Sequence, residues 1–116
     1  MKKKKTIRQL KKQADTVFSL WIRNRDKKCF TCGSTKNLQC GHFVSRDHNS
    51  LRYSELNCNT QCLVCNCFKH GNMPEYAERL MKLYGPYIIR NLNKEKRIVK
   101  QFKREELENI INKYKI

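Results

Sequence analysis

Two Cys-x-x-Cys pairs, Cys29 with Cys32 and Cys62 with Cys65, constrain this chain more than any other feature. A tight turn lets each pair present two thiolates to one ion, and two pairs complete a closed, tetrahedral structural zinc site. Gly33 follows the first pair, where the backbone must bend sharply or take positive φ. The segment 29–72 that holds both pairs is short and polar. Below about 40–70 residues a structural metal commonly replaces a missing hydrophobic core. The chain has seven cysteines, an odd number unsuited to a closed disulfide framework, so a reducing, cytoplasmic compartment is expected. The remaining three, Cys40, Cys58 and Cys67, read as small buried apolar residues rather than ligands.

Charge narrows the partner. The 116 residues carry 26 Lys plus Arg against 10 Asp plus Glu, a formal net charge of +16. Solubility asks a small domain for a magnitude of only about 2–8. The excess points to an anionic partner, nucleic acid before an anionic membrane surface. It also disfavours a protein adaptor, which needs an apolar patch more than charge. No apolar run approaches the roughly 18 residues of a spanning helix. The run at 17–22 is no secretory signal either, being broken by Ser19 and followed by Arg23 and Arg25.

The periodicity predicts an α+β chain organised as a single domain over 1–116. Residues 1–5 are a charge run expected to be solvated. Ile7, Leu10, Ala14, Val17, Phe18 and Trp21 recur at three- and four-residue spacing, which predicts an N-terminal helix over 6–25 with Phe18 and Trp21 in the core. Residues 38–44 alternate as a short strand with Leu38, Cys40 and His42 on one face. Gly41 within it signals a bulge or a close backbone approach. After a polar loop at 45–50, residues 51–53 read as the returning strand. A short helix near the second cysteine pair is expected to carry Asn66, Lys69 and His70, with Asn66 and His70 on one face. The part 73–116 reads as helical. Pro74 and Glu75 start a helix with a stripe of Ala77, Leu80, Met81 and Tyr84, and Gly85-Pro86 end it. A further helix spans 87–92, a loop with helical ends 93–104, and a last helix 104–114 has Leu107, Ile110, Ile111 and Tyr114 on one side.

Zinc explains the four cysteines and leaves His42, Asn57 and Asn66 unexplained. A knuckle, a hairpin bearing His and a helix bearing a polar ligand resemble the HNH (His-Me finger, ββα-metal) nucleases on a treble-clef zinc scaffold. Here the triplet is His42, Asn57 and Asn66, with Asn replacing the final His. The runs Leu38-Gln-Cys-Gly-His-Phe43, Asn57-Cys-Asn-Thr-Gln-Cys62, Cys65-Asn66 and Gly71-Asn72-x-x-Glu75-Tyr76 resemble the phage lambda NinG/Rap family of recombination proteins. That resemblance covers about 29–85. It implies a structure-specific DNA endonuclease, acting on branched intermediates such as Holliday junctions in a bacterial host.

The roles follow from the resemblance. His42 would be the general base that takes a proton from water. Asn57 would hold the loop or the imidazole in orientation. Asn66 would help hold one hydrated Mg²⁺ or Mn²⁺, with His70 as candidate second ligand or a plain surface histidine. Arg46, Arg52 and Lys69 are the expected nucleic-acid contacts, gripping phosphates without reading sequence. One departure stands out: many HNH enzymes place Asp or His before the base as a metal ligand, and this chain has Gly41. Either Gln39, Asp47, His48 or Glu55 replaces it, or the ion is held weakly. The alternative function is a zinc-stabilised nucleic-acid-binding protein without cleavage. The last helix could supply a homodimer interface, although its stripe fits packing within the chain equally well.

Overall fold

The computed structural model describes residues 3–116. Met1 and Lys2 of the N-terminal charge run lie outside the described residues, and residues 3–5 are exposed. Helix α1 (Ile7–Asp26) starts where Thr6 and Gln9 cap each other: the Thr6 hydroxyl accepts from the Gln9 amide, and the Gln9 side chain accepts from the Thr6 amide. It buries Leu10, Ala14, Phe18 and Ile22. Its C-terminal end is fastened to the sheet. Arg25 donates to the carbonyls of Glu55 and Cys58, and the Asp26 carboxylate accepts from the Thr60 amide.

Strands β1 (Leu38–His42) and β2 (Cys58–Cys62) form an antiparallel pair, with Leu38 opposite Cys62 and His42 opposite Cys58. The register is unbroken, so Gly41 marks a close approach and not a bulge. The returning strand expected at 51–53 is instead one 3₁₀ turn, Asn49–Leu51, and the return comes at β2. All five β2 residues are buried, which removes the alternation that signals a strand. The polar side chains tolerate burial because each donates to a partner, although Gln61 Oε1 accepts from none among the described residues. Thr60 donates to the Ile22 carbonyl, Asn59 to the Tyr76 hydroxyl, and Gln61 to the Gly71 carbonyl at 2.7 Å.

The two hairpin faces divide the molecule. Cys40, His42, Cys58 and Thr60 face α1, where Cys58 and Cys40 pack with Phe18 and Ile22. Gln39, Gly41, Asn59 and Gln61 lie on the other face, toward α2 (Met73–Tyr84). The stripe of α2 is rotated from expectation: Tyr76 and Leu80 are buried, whereas Met81 and Tyr84 are 40% and 42% exposed. The Tyr76 phenol explains the rotation. It donates to the Gly41 carbonyl at 2.7 Å and reaches the Asn57 carbonyl at 3.2 Å, locking α2 beneath both strands. Tyr76 and Leu80 then close a core with Val44, Leu51, Ile88 and Leu92.

Helix α3 (Ile88–Lys96) runs a turn beyond its expected end, which shortens the following loop. Helix α4 (Arg104–Tyr114) lays Leu107 and Ile111 on Leu10 and Ala14 of α1, and Tyr114 on Phe18 and Trp21. The stripe that offered a dimer interface is thereby covered within the chain. No helix of the described residues is long and apolar enough to cross a membrane.

Candidate active site

Cys29, Cys32, Cys62 and Cys65 converge, with all four sulfurs within 4.8 Å of one another. The Cys32 and Cys62 sulfurs are 3.6 Å apart. Four thiolates about 2.3 Å from a tetrahedral ion sit roughly 3.8 Å from each other, so this donor set can hold one metal ion and fits zinc. Amides already point at the sulfurs: the Cys65 N–H at Cys62, and the Asn72 side chain at Cys65. Burial pushes the Cys29 thiol up, but hydrogen bonds from Thr31 and the backbone outweigh it and bring Cys29 down to about 6. Cys29, Cys62 and Cys65 are buried and Cys32 is exposed.

His42 ends β1, and its ring meets the backbone that follows the 3₁₀ turn. Its Nε2 lies 2.9 Å from the Arg52 carbonyl, which can only accept, so Nε2 carries the proton and Nδ1 keeps the lone pair. Burial lowers the His42 pKa below the ordinary 6.5; the nearby Arg52 and Arg46 charges add to this, against an opposing bond from the Arg52 carbonyl. The imidazole is therefore neutral at pH 7.

Asn57 is fully buried and touches the loop, not the imidazole. Its Oδ1 accepts from the Val44 amide at 2.8 Å, while Nδ2 donates to the carbonyls of Val44 and Leu51 at 2.9 and 3.2 Å. It thus ties both ends of the 44–51 loop together, and the segment carrying the Arg52 carbonyl follows directly. Asn57 places the partner of His42 rather than His42 itself.

A cavity of about 550 Å³ opens beside His42 and is lined also by Asn66, His70, Gln39, Arg46, Arg52 and Asp15. Asn66 and His70 do not share a helical face. Asn66 sits in a π-helical turn, Val64–Phe68, and His70 falls beyond it at φ 49°. Gly71 at φ 90° and Asn72 at φ 49° continue this left-handed turn, which brings the His70 side chain back to the cavity. The Asn66 amide donates to Gln39 Oε1 at 2.8 Å, which leaves Asn66 Oδ1 as its ligand atom. Cys67 is exposed, contrary to expectation, because the π turn directs it outward beside Gln39.

Of Gln39, Asp47, His48 and Glu55, only Gln39 lines this cavity; Glu55 instead accepts from the Tyr114 hydroxyl on another side. The carboxylate that does line it is Asp15 of α1, a position outside the apolar stripe of that helix and one that no motif singles out. Arg52 grips Asp15 through two hydrogen bonds, one of them 2.7 Å, and Tyr53 adds a third at 2.8 Å. Burial alone would raise Asp15; these bonds outweigh it and hold the carboxyl below its usual range. Arg52 also donates to the Arg46 carbonyl, so its guanidinium braces the loop instead of standing free for phosphate. Arg46 and Lys69 are exposed.

The hairpin holds a second convergence. Cys40, His42 and Cys58 each place one ligand atom within 4.8 Å of the others. Fold and site together define a small α+β protein built on one hairpin, with a four-cysteine cluster that could hold a metal ion and a half-buried histidine at a polar cavity. The family described as "Bacteriophage Lambda NinG protein" matches residues 1–116, and the chain belongs to it. It is 35% identical over 79 residues to Protein ninG of Escherichia phage lambda and, to the same extent, to those of Escherichia phage 933W and Salmonella phage P22. Each match covers 64% of this chain and 39% of the relative, so the chain spans well under half the length of these proteins. No solved structure matches.

Proposed function

We propose that this chain is a metal-dependent DNA endonuclease of the HNH type on a treble-clef zinc scaffold, acting on branched recombination intermediates. The observation that carries the reading is the placement of His42: its Nε2 lies 2.9 Å from the Arg52 carbonyl, which leaves Nδ1 as the basic nitrogen of an imidazole that lines a polar cavity and whose pKa burial lowers. A general base for hydrolysing a phosphodiester needs that combination. Asn57 acts as a positioning residue, since it holds the loop leading to the Arg52 carbonyl. The four thiolates would hold zinc and brace the hairpin. A divalent ion such as Mg²⁺ or Mn²⁺ would supply charge stabilisation at the phosphate. Asn66 and His70 are the residues to hold it, together with the DNA phosphate, because Asp15 is engaged by Arg52 and Tyr53.

Arg46, Lys69 and the wider +16 charge would grip the sugar-phosphate backbone, so binding should weaken steeply with salt. Choice of branched DNA rests on the family resemblance. The test is purified protein with a four-way junction and with the matching linear duplex, across Mg²⁺ and Mn²⁺ concentrations and with EDTA as control. Metal-dependent nicking of the junction supports the reading. Tight binding without nicking under any metal overturns it in favour of a zinc-stabilised nucleic-acid-binding protein.

A further inference from the structure

We infer that Cys40, His42 and Cys58 form a second metal site, selective for a thiophilic ion such as Zn²⁺, whose occupancy switches His42 off. The switching half rests on the nuclease reading above; the site itself does not.

The geometry carries the site. Cys40 and His42 are two apart on β1 and Cys58 lies directly opposite His42 on β2, so all three side chains share the α1-facing surface. Their ligand atoms already fall within 4.8 Å of one another. A tetrahedral zinc needs such atoms roughly 3.5–3.8 Å apart, a contraction that side-chain rotation supplies. The sulfur of Cys58 has no strong partner to give up: its contacts to the Leu51 and Arg52 carbonyls are 4.0 and 3.7 Å. Cys40 and His42 line the 550 Å³ cavity, which leaves a fourth position open to water.

Charge and softness decide which ion fits. Two thiolates and a neutral imidazole with Zn²⁺ make a cluster of zero net charge. A half-buried region beside Arg52 accepts that far better than a bare cation. Sulfur donors select against Mg²⁺ and Mn²⁺, so this site does not duplicate the proposed catalytic ion. It is also separate from the four-cysteine cluster. Leu38–Cys62 and His42–Cys58 are opposite ends of a five-residue pairing, roughly 13 Å apart along the strands.

The consequence follows from imidazole chemistry. Neutral imidazole has one basic lone pair, and a metal on either ring nitrogen consumes it. A zinc-loaded His42 cannot accept a proton from water, so free zinc would hold the enzyme inactive until a chelating or competing thiol removes it.

The experiment uses the full chain and reads metal directly. Protein stripped of metal is titrated with Co²⁺, following thiolate-to-cobalt charge transfer and the visible bands of tetrahedral cobalt. Bound zinc is counted after reconstitution. Wild type should take two equivalents, and Cys40→Ser and Cys58→Ala one each. Cys40 is only half-buried, so Cys40→Ser keeps the test open should Cys58→Ala fail to fold. One equivalent in all three proteins overturns the site. Junction cleavage is then measured with and without added zinc, each variant normalised to itself. Zinc inhibition in wild type that is lost in Cys40→Ser supports the switch. A bound second equivalent with undiminished cleavage overturns it. Two equivalents with no cleavage under any metal leave the site standing and remove the nuclease reading with the switch.

Discussion

Replacing Gly41 with alanine tests how the hairpin is packed behind His42. Gly41 lies within β1, and a Cβ built there would stand 2.0 Å from Gln61 Oε1 and 2.7 Å from its Cδ. Contacts that short do not persist, so Gln61 must move. It cannot move freely, since it is fully buried and its Nε2 donates to the Gly71 carbonyl and to Thr31. Overpacking of this kind costs about 1–3 kcal/mol, and stranding the Gln61 amide pushes the cost toward the upper end. For a chain of this size about 3 kcal/mol corresponds to a melting point roughly 12 °C lower. The double-mutant cycle with Gln61→Ala isolates the cause. Gln61→Ala alone should cost about 2 kcal/mol through its lost hydrogen bonds. In that background Gly41→Ala should cost less than about 1 kcal/mol, because nothing remains to clash. Thermal or urea denaturation of the four proteins should therefore show a coupling of at least about 1.5 kcal/mol. Additivity within about 0.5 kcal/mol would refute the steric argument. Gly41→Asp, which restores the residue type many HNH enzymes carry there, meets the same side chain and should destabilise at least as much.

Other consequences can be measured alongside. Asn57→Ala strands the Val44 amide and two carbonyls in a buried loop, and should cost about 3–5 kcal/mol in denaturation; Asn57→Asp should recover little of this, because a carboxylate cannot donate to those carbonyls. Stripping metal with a strong chelator should lower the melting temperature by more than any substitution above and be reversed by zinc but not by magnesium. The His42 pKa lies below its ordinary value, so its neutral form favours the folded state above pH 6.5, and that contribution is lost as pH falls through the depressed value. Cleavage should accordingly persist at pH 6.5 and fall only at lower pH; a rate that halves at or above pH 6.5 would contradict the burial argument.

Much of this architecture was legible because its signals are local. The stripe of α1 reads as Leu10, Ala14 and Phe18 at helical spacing, and those residues are buried. The paired Cys-x-x-Cys spacing predicted a cluster that the fold closes. What stayed hidden depends on long-range pairing. β2 is written in polar residues, and only their partners on α1, α2 and the Gly71 turn make its burial affordable. Tyr76 ends one of the runs that carry the resemblance, but nothing in that run announces a hub; its burial follows from its hydroxyl reaching the Gly41 carbonyl of β1 and the Asn57 carbonyl just before β2. Regular helical spacing puts His70 on the face of Asn66, whereas a π turn followed by left-handed residues at 70–72 delivers it to the cavity. Asp15 and Arg52, distant in sequence, meet only because α1 lies across the 44–53 loop.

The proposal that His42 is a general base is tested most directly by His42→Ala, comparing single-turnover cleavage of a four-way junction with binding of the same junction. The predicted result is junction affinity within about twofold of wild type and a cleavage rate lower by at least about a hundredfold, the scale of general-base catalysis. Equal cleavage by both proteins would contradict it.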